Sequence, residues 1–190
     1  MQFLHSKNVI HRDLKPENVL LTKDDSVRVM DFGLSKLVQD GSKTKTVRVG
    51  TSVYMAPEVV LGGHYDEKAD CFSFGLLSYV VLTEQTSPFD VESTFNLEMK
   101  IAQNPSFRPS FEKFSGMGIP KEIVSLCEIS WSSEPENRKP FDDITKELKM
   151  IISSSSCGDG LENKFEEIFS RFSEKELVIL KQKLNDRFSN

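Results

Sequence analysis

The sequence predicts a mainly α-helical domain with one small β-hairpin, and three observations lead to this fold class. Residues 68–82 are apolar on nearly all sides, which is typical of a buried central helix. Two later segments, 120–131 and 140–151, repeat apolar residues at helical spacing. A short apolar run over 19–21 and an alternating segment over 27–30 are separated by polar turn residues and predict the two strands of a hairpin.

Length and composition are those of an ordinary globular protein. The 190 residues are 38% apolar and 28% charged, enough for one buried domain and an appendage. The net charge of −5 provides no broad positive surface, so we expect that nucleic acid is not a partner.

The cysteines and the apolar runs bear on location. Cys71, Cys127 and Cys157 are widely spaced and odd in number, which fits neither a disulfide framework nor a CxxC metal site. The longest apolar run, 72–82, is too short to span a bilayer, so no membrane partner is expected. The N-terminus lacks the pattern of a secretion signal. We therefore expect a cytoplasmic protein.

The first third of the chain predicts short elements. Residues 1–7 are typical of the last turn of a helix. The strands 19–21 and 27–30 are joined by a turn in which Asp24 and Asp25 are turn residues. Residues 35–49 are polar and lack a helical period, so they predict a surface loop.

The rest of the chain predicts further helices and a separate tail. An amphipathic helix is expected over residues 92–103 and a loop over 104–118. The Ser- and Gly-rich segment 153–160 is typical of a flexible linker. Residues 161–190 predict two short helices, with Ser173 and Glu176 as a capping pair. This tail either docks on the main domain or begins another one.

Two acidic loops flank the hairpin. The first is His11-Arg12-Asp13-Leu14-Lys15-Pro16-Glu17-Asn18, and the second is Asp31-Phe32-Gly33. Two carboxylates, an amide and a lysine are the combination that holds metal-bound phosphate beside a hydroxyl nucleophile. A single Asp or Asn in a loop is more often a turn or cap residue, but the joint pattern favours this chemistry.

These loops resemble the catalytic and metal-binding loops of eukaryotic protein kinases of the serine/threonine type. The segment Gly50-Thr51-Ser52-Val53-Tyr54-Met55-Ala56-Pro57-Glu58 is similar to the end of the kinase activation segment. The resemblance covers residues 1–152 and implies the large C-terminal lobe of that fold. The short activation segment also resembles that of the tyrosine-kinase-like group.

The resemblance implies a role for each residue of the site, with ATP and Mg²⁺ as cofactors and proteins as substrates. Asp13 would accept the proton of the attacking hydroxyl, and Lys15 would contact the γ-phosphate. Asn18 and Asp31 would be the magnesium ligands. Leu20 would form part of the adenine floor. Thr51 would bridge Asp13 and Lys15, and together with Lys15 it indicates serine/threonine specificity.

The resemblance also implies regulatory residues. Arg12 would pair with a phosphate on the activation segment through charge-assisted hydrogen bonds. Thr46 is the preferred phosphate acceptor, with Thr44 and Ser42 as alternatives.

A further set of residues would be structural. His11 and Phe32 would stack in a column that Asp70 holds at the start of the central helix. Glu58 and Arg138 would form a buried ion pair. Loss of one partner of such a pair typically costs about 3–5 kcal/mol, because the other charge stays buried.

Other kinase motifs are absent from the sequence. There is no Gly-rich GxGxxG loop, no VAIK-type strand lysine and no partner glutamate for that lysine. The resemblance thus implies that the N-terminal lobe is missing and that only half of an ATP site remains. A fragment of a full kinase, a lobe-only binding module, or a partner protein that supplies the small lobe would each explain this, and we favour the fragment.

Two classes of function follow. The retained Asp13, Lys15, Asn18 and Asp31 favour a protein serine/threonine kinase that acts in signalling. The absence of the Gly-rich loop and the strand lysine, which would hold the ATP phosphates, favours a non-catalytic interaction module or a truncated pseudokinase fragment. For this chain alone we expect weak or no MgATP binding and negligible phosphoryl transfer.

Overall fold

The computed structural model describes residues 1–23, 27–37, 44–45, 53–91 and 95–154, and it is mostly helical. Within these ranges there are six α-helices: α1 (Gln2–Ser6), α2 (Pro57–Val60), α3 (Lys68–Thr83), α4 (Leu97–Gln103), α5 (Lys121–Ser130) and α6 (Phe141–Ser154). The predictions of a terminal helical turn before residue 7 and of helices around α3, α5 and α6 are confirmed.

Within the described residues, the strands form three antiparallel pairs. β2 (Val19–Leu21) pairs with β3 (Val27–Val29), which confirms the predicted hairpin strands. Residues 24–26, where the turn was predicted, lie outside the described ranges. Two further pairs were not predicted. β1 (Val9–Ile10) pairs with β4 (Lys36–Leu37), and β5 (Thr44–Lys45) pairs with β6 (His64–Tyr65). Strands of two residues have no alternation that sequence analysis could detect.

Helix α3 is the centre of the domain. Its buried side chains include Phe72 and Leu76 on one side and Cys71 on another. Phe72 and Leu76 belong to the larger hydrophobic cluster, and Cys71 packs in a second cluster with Leu14 and Phe141. Because α3 is apolar on nearly all sides, it can bury side chains in both clusters.

Two segments differ from the expectation. The helix expected over residues 92–103 begins only at Leu97, because Asn96 has a left-handed backbone conformation (φ 54°) that cannot continue a helix backwards. Residues 92–94 lie outside the described ranges. The loop expected over 104–118 contains a 3₁₀ helix, Glu112–Met117, which ends at Gly118 with a positive φ of 67°.

The last described element is α6. Phe141, Ile144 and Ile151 are buried at helical spacing on one face. The helix extends to Ser154, so it includes the first two residues of the expected linker. The tail over 161–190 lies outside the described residues. No helix in the described part of the chain has the length and apolar character needed to cross a membrane.

Candidate active site

Asp13, Lys15 and Asn18 converge on one point. A 3₁₀ turn, Pro16–Asn18, follows Lys15 and returns the chain towards Asp13. Asn18 Nδ2 donates to Asp13 Oδ2 at 2.9 Å and to the Asp13 carbonyl at 2.6 Å. Lys15 Nζ lies 2.9 Å from the same carboxylate oxygen. The carboxylate of Asp13 is therefore held by a fixed amide and by a positive charge.

The β2–β3 hairpin brings the second acidic loop to this cluster. Val19 pairs with Val29, and the Met30 amide donates to the Asn18 carbonyl at 2.8 Å. Asp31 is the next residue, and it has a left-handed backbone (φ 56°). Its carboxylate accepts from the Gly33 amide at 3.1 Å, which supports this conformation. The hairpin thus places Asp31 beside the backbone of Asn18.

The donor set of Asn18 and Asp31 suits a hard divalent cation. Both hydrogen bonds from Asn18 to Asp13 use Nδ2, so its amide oxygen Oδ1 is the atom that could ligate a metal. Asp31 adds carboxylate oxygens from an exposed position. Among the described residues there is no cluster of three or more His, Cys, Asp or Glu side chains suited to a metal. A cation here would need further ligands from water or phosphate, as Mg²⁺ usually has.

Asp70 holds the first acidic loop from α3. Its side chain is fully buried (0% exposed). Its carboxylate accepts hydrogen bonds from the backbone amides of His11 and Arg12, each at 2.8 Å, and lies 2.9 Å from His5 Nε2. Arg12 has a left-handed backbone (φ 68°), which is unfavourable for an arginine. The amide bonds to Asp70 stabilise this conformation directly before Asp13.

His11 connects the two acidic loops. Its ring nitrogen Nε2 lies 2.8 Å from the Met30 carbonyl, which can only accept, so Nε2 has the proton. The other nitrogen, Nδ1, is then able to accept from the Asp13 amide at 3.3 Å. The His11 ring also meets the Phe32 ring edge-on, with centroids 5.1 Å apart.

The Arg12 side chain connects the first acidic loop to Leu34, just after the second acidic loop, and to Tyr65 in β6. Its Nη1 donates to the Tyr65 hydroxyl at 3.0 Å, and its Nε donates to the Leu34 carbonyl. Of the expected phosphate acceptors, Thr44 lies in β5 and pairs with Tyr65 through the backbone. Thr46 and Ser42 lie outside the described residues, as does Thr51.

The expected ion pair between Glu58 and Arg138 is present and bidentate. Arg138 Nη1 and Nη2 donate to the two Glu58 carboxylate oxygens at 2.6 and 2.8 Å. The Arg138 side chain also donates to three backbone carbonyls, those of Ser132, Ser133 and Lys68. Arg138 is 1% exposed. The pair ties the end of the 50–58 segment to the loop before α6.

A comparison with family models decides the family. The protein kinase domain model matches residues 1–149.

The chain belongs to the protein kinase family.

Several curated kinases are similar to this chain. A probable LIM domain-containing serine/threonine-protein kinase of Dictyostelium discoideum is 36% identical over 154 residues, which are 81% of this chain and 22% of that protein. The dual specificity protein kinase shkA of the same organism is 37% identical over 79% of this chain and 28% of its own length. A serine/threonine-protein kinase of Saccharomyces cerevisiae is 35% identical over 77% of this chain and 13% of its own length. The chain thus spans less than a third of each of these relatives.

The sequence analysis did not identify two side chains of the candidate site. His5 contacts Asp70, and its ring packs edge-on against Phe141 with centroids 5.2 Å apart. Tyr65 bonds Arg12 from the two-residue strand β6. Each is a single aromatic residue outside the recognised motifs, so no local pattern in the sequence indicated its contact. Leu20, expected in the adenine floor, lies half-buried in β2.

Proposed function

We propose that this chain is the large-lobe portion of a protein serine/threonine kinase that transfers the γ-phosphate of ATP to hydroxyl groups of proteins. The observation that supports it best is the arrangement at Asp13. Its Oδ2 lies 2.9 Å from both Asn18 Nδ2 and Lys15 Nζ, in a loop that Asp70 holds through two backbone amides. Such positioning of a carboxylate beside a cation suits phosphoryl transfer, in which orientation and electrostatics dominate.

Each residue has a distinct role in this proposal. Because Asn18 and Lys15 both bond Oδ2 of Asp13, the other oxygen, Oδ1, is the one that meets the substrate hydroxyl and takes its proton. Lys15 adds positive charge beside the transferred phosphoryl group. Asn18 orients Asp13 and, with Asp31, would hold Mg²⁺. When bound, that ion supplies charge neutralisation at the phosphate oxygens.

The substrate class and the kinase group are finer proposals. Lys15 and Thr51 in their motifs support serine/threonine specificity, and the segment 50–58 supports the tyrosine-kinase-like group. Thr46 is the proposed regulatory phosphate acceptor, with Thr44 and Ser42 as alternatives. Phosphopeptide mapping of active protein checks this assignment, because phosphorylation is expected within residues 42–46 and its absence there would contradict it.

The ATP site needs parts that these 190 residues do not contain, namely a Gly-rich loop and a strand lysine. We therefore propose that Leu20 contributes one side of the adenine pocket and that a small lobe covers the other side. The chain alone should bind MgATP weakly, because little holds the α- and β-phosphates. A large thermal shift with MgATP that Asp31→Ala abolishes would contradict this expectation.

The test is phosphoryl transfer from MgATP to serine, threonine and tyrosine peptides, with the chain alone and mixed with a protein kinase small lobe. We expect transfer to serine and threonine in the mixture. Asp13→Asn should lower it by about 10²–10⁴-fold, the range for loss of a general base. No transfer in the mixture, or equal transfer by the Asp13→Asn variant, would indicate a non-catalytic interaction module instead.

A further inference from the structure

Tyr65 contacts the first acidic loop through its hydroxyl. The side chain is 2% exposed and packs in the larger hydrophobic cluster of the core. Its hydroxyl accepts from Arg12 Nη1 at 3.0 Å. The Tyr65 ring thus packs in the core, and its hydroxyl bonds Arg12, the residue directly before Asp13.

The backbone of Tyr65 contacts a different segment. In the β5–β6 pair, Tyr65 lies opposite Thr44, and His64 lies opposite Lys45. Thr44 belongs to the segment with the proposed phosphate acceptors. Tyr65 therefore contacts that segment through its main chain and the first acidic loop through its side chain.

We propose that Tyr65 is a positioning residue that couples the pairing of strand β5 with β6 to the orientation of the Arg12 side chain. The proposal deepens the proposed function, on which it rests for the role of Arg12 and Asp13. When β5 is paired, Tyr65 is held in β6 and keeps the Arg12 guanidinium between its hydroxyl and the Leu34 carbonyl. When the pairing is lost, Tyr65 moves and Arg12 keeps only its bond to Leu34.

The coupling has a physical basis in the geometry of Arg12. An arginine side chain has several rotatable bonds, so a single hydrogen bond does not fix its planar group. Two bonds to different elements do fix it: Nε donates to the Leu34 carbonyl and Nη1 donates to Tyr65. The loop below it is already held by Asp70 through the backbone amides of His11 and Arg12. Tyr65 therefore sets the side chain of Arg12, while Asp70 sets its backbone.

The first test compares Tyr65→Phe with Tyr79→Phe. Tyr79 is a matched control, because its hydroxyl also bonds within the protein, to the Ser110 carbonyl at 3.2 Å, and its ring lies in the same core cluster. Solvent exchange of the Arg12 Nε–H proton is measured by NMR. Tyr65→Phe should speed this exchange by up to about fivefold, because the bond lost at Nη1, worth about 1 kcal/mol, no longer helps to hold the Nε–H against the Leu34 carbonyl, and Tyr79→Phe should leave it unchanged. Equal exchange in the two variants would overturn the proposal.

The second test breaks the strand pairing itself. In an antiparallel pair, one of two consecutive residues bonds the partner strand and the other points away. Of Thr44→Pro and Lys45→Pro, one therefore breaks the β5–β6 pairing and the other is its control. The disruptive proline should speed Arg12 Nε–H exchange in the wild-type background and add nothing in a Tyr65→Phe background. Additive effects, or no effect from either proline, would overturn the coupling.

These measurements do not depend on catalysis. Failure of the proposed function would appear as absent phosphoryl transfer in the small-lobe mixture, with the Arg12 exchange pattern intact. Failure of the coupling would appear as unchanged Arg12 exchange in all variants, with Asp13-dependent transfer intact.

Discussion

Two residues of the site adopt left-handed backbone conformations that cost about 1–2 kcal/mol in a residue with a side chain. Arg12 (φ 68°) precedes the candidate catalytic Asp13, and Asp31 (φ 56°) is the candidate metal ligand. Asp70 accepts the Arg12 amide, and the Asp31 carboxylate accepts the Gly33 amide. Polar contacts at each position thus offset the backbone cost, as is common at functional sites.

Asp70→Asn should destabilise the domain by about 2–4 kcal/mol. The carboxylate faces three donors, from His5, His11 and Arg12, and an asparagine would present an NH₂ group to at least one of them. Urea unfolding measures the change. Asp142→Asn is the control, because Asp142 is exposed and its carboxylate accepts from Gln2 Nε2 at the protein surface. Equal losses in the two variants would contradict the role given to Asp70.

Arg138→Ala should cost about 3–5 kcal/mol, because it leaves the Glu58 carboxylate without its cation and removes a donor from three backbone carbonyls. Thermal and urea unfolding both measure this loss. Lys146→Ala is the matched control, since its pair with Asp143 is exposed and should change stability by less than about 0.5 kcal/mol. An unchanged melting temperature for Arg138→Ala would refute the structural role of the pair.

At the scale of elements, periodicity allowed the sequence to predict the helices that bury one face or all faces. Helix α6 was predicted from its helical spacing of apolar residues and α3 from its apolar character on nearly all sides, each with ends within a few residues. The start of α4 was not predicted correctly, because the apolar pattern does not reveal that Asn96 has a left-handed backbone conformation. The pairs β1–β4 and β5–β6 join residues far apart in sequence, so only the folded chain shows them.

The candidate site shows the same difference between contacts that a local motif predicts and contacts that only the folded chain reveals. The convergence of Asp13, Lys15 and Asn18 was predictable, because all three lie in one motif, and the hairpin brings Asp31 close. The contact of Tyr65 with Arg12 spans 53 residues and depends on how β6 sits against the loop. Such a contact depends on tertiary packing and leaves no local pattern in the sequence.

Helices α3 and α5 approach closely at Gly75, and Gly75→Ala should weaken this contact. An added Cβ would lie 2.9 Å from Ser130 Cβ and 3.0 Å from the Cys127 carbonyl, so the helices would have to separate. We expect a loss of about 1–3 kcal/mol from overpacking, despite the higher helix propensity of alanine. Gly116→Ala is the control, since its Cβ would have no atom within 4 Å. Urea unfolding in which Gly75→Ala is as stable as wild type would show that the helices can move apart.

At the scale of the whole molecule, the site is built into the core. Ile10 precedes the first acidic loop and lies in the larger hydrophobic cluster, whereas Leu14 lies within the loop and in the second cluster. Both side chains are 2% exposed. The candidate catalytic residue Asp13 is therefore positioned by both clusters. A substitution that disrupts the packing of either cluster should displace its carboxylate. For this reason, Asp70→Asn, Arg138→Ala and Gly75→Ala should also lower any phosphoryl transfer.

Stability should fall at alkaline pH because the core contains buried thiols. Burial, with Asp70 nearby, raises the pKa of Cys71 to about 12, and burial, with Glu128 nearby, raises the pKa of Cys127 to about 12. Their ordinary pKa is 9.0, so above about pH 9 the unfolded chain loses these protons while the folded chain retains them. The free energy of unfolding should then drop by about 1.4 kcal/mol per pH unit for each thiol, until the pH nears 12.

Urea unfolding between about pH 7 and pH 11 measures this slope. Burial also raises the pKa values of Tyr54 and Tyr79, with the charges of Glu17 and Asp90 as the second causes, so part of the slope should remain when the thiols are removed. The double variant Cys71→Ala/Cys127→Ala starts from a lower stability but should lose less of it as the pH rises. If wild type and double variant lost stability in parallel, the two thiols would not be buried as neutral groups, and the packing of α3 against α5 described above would be incorrect.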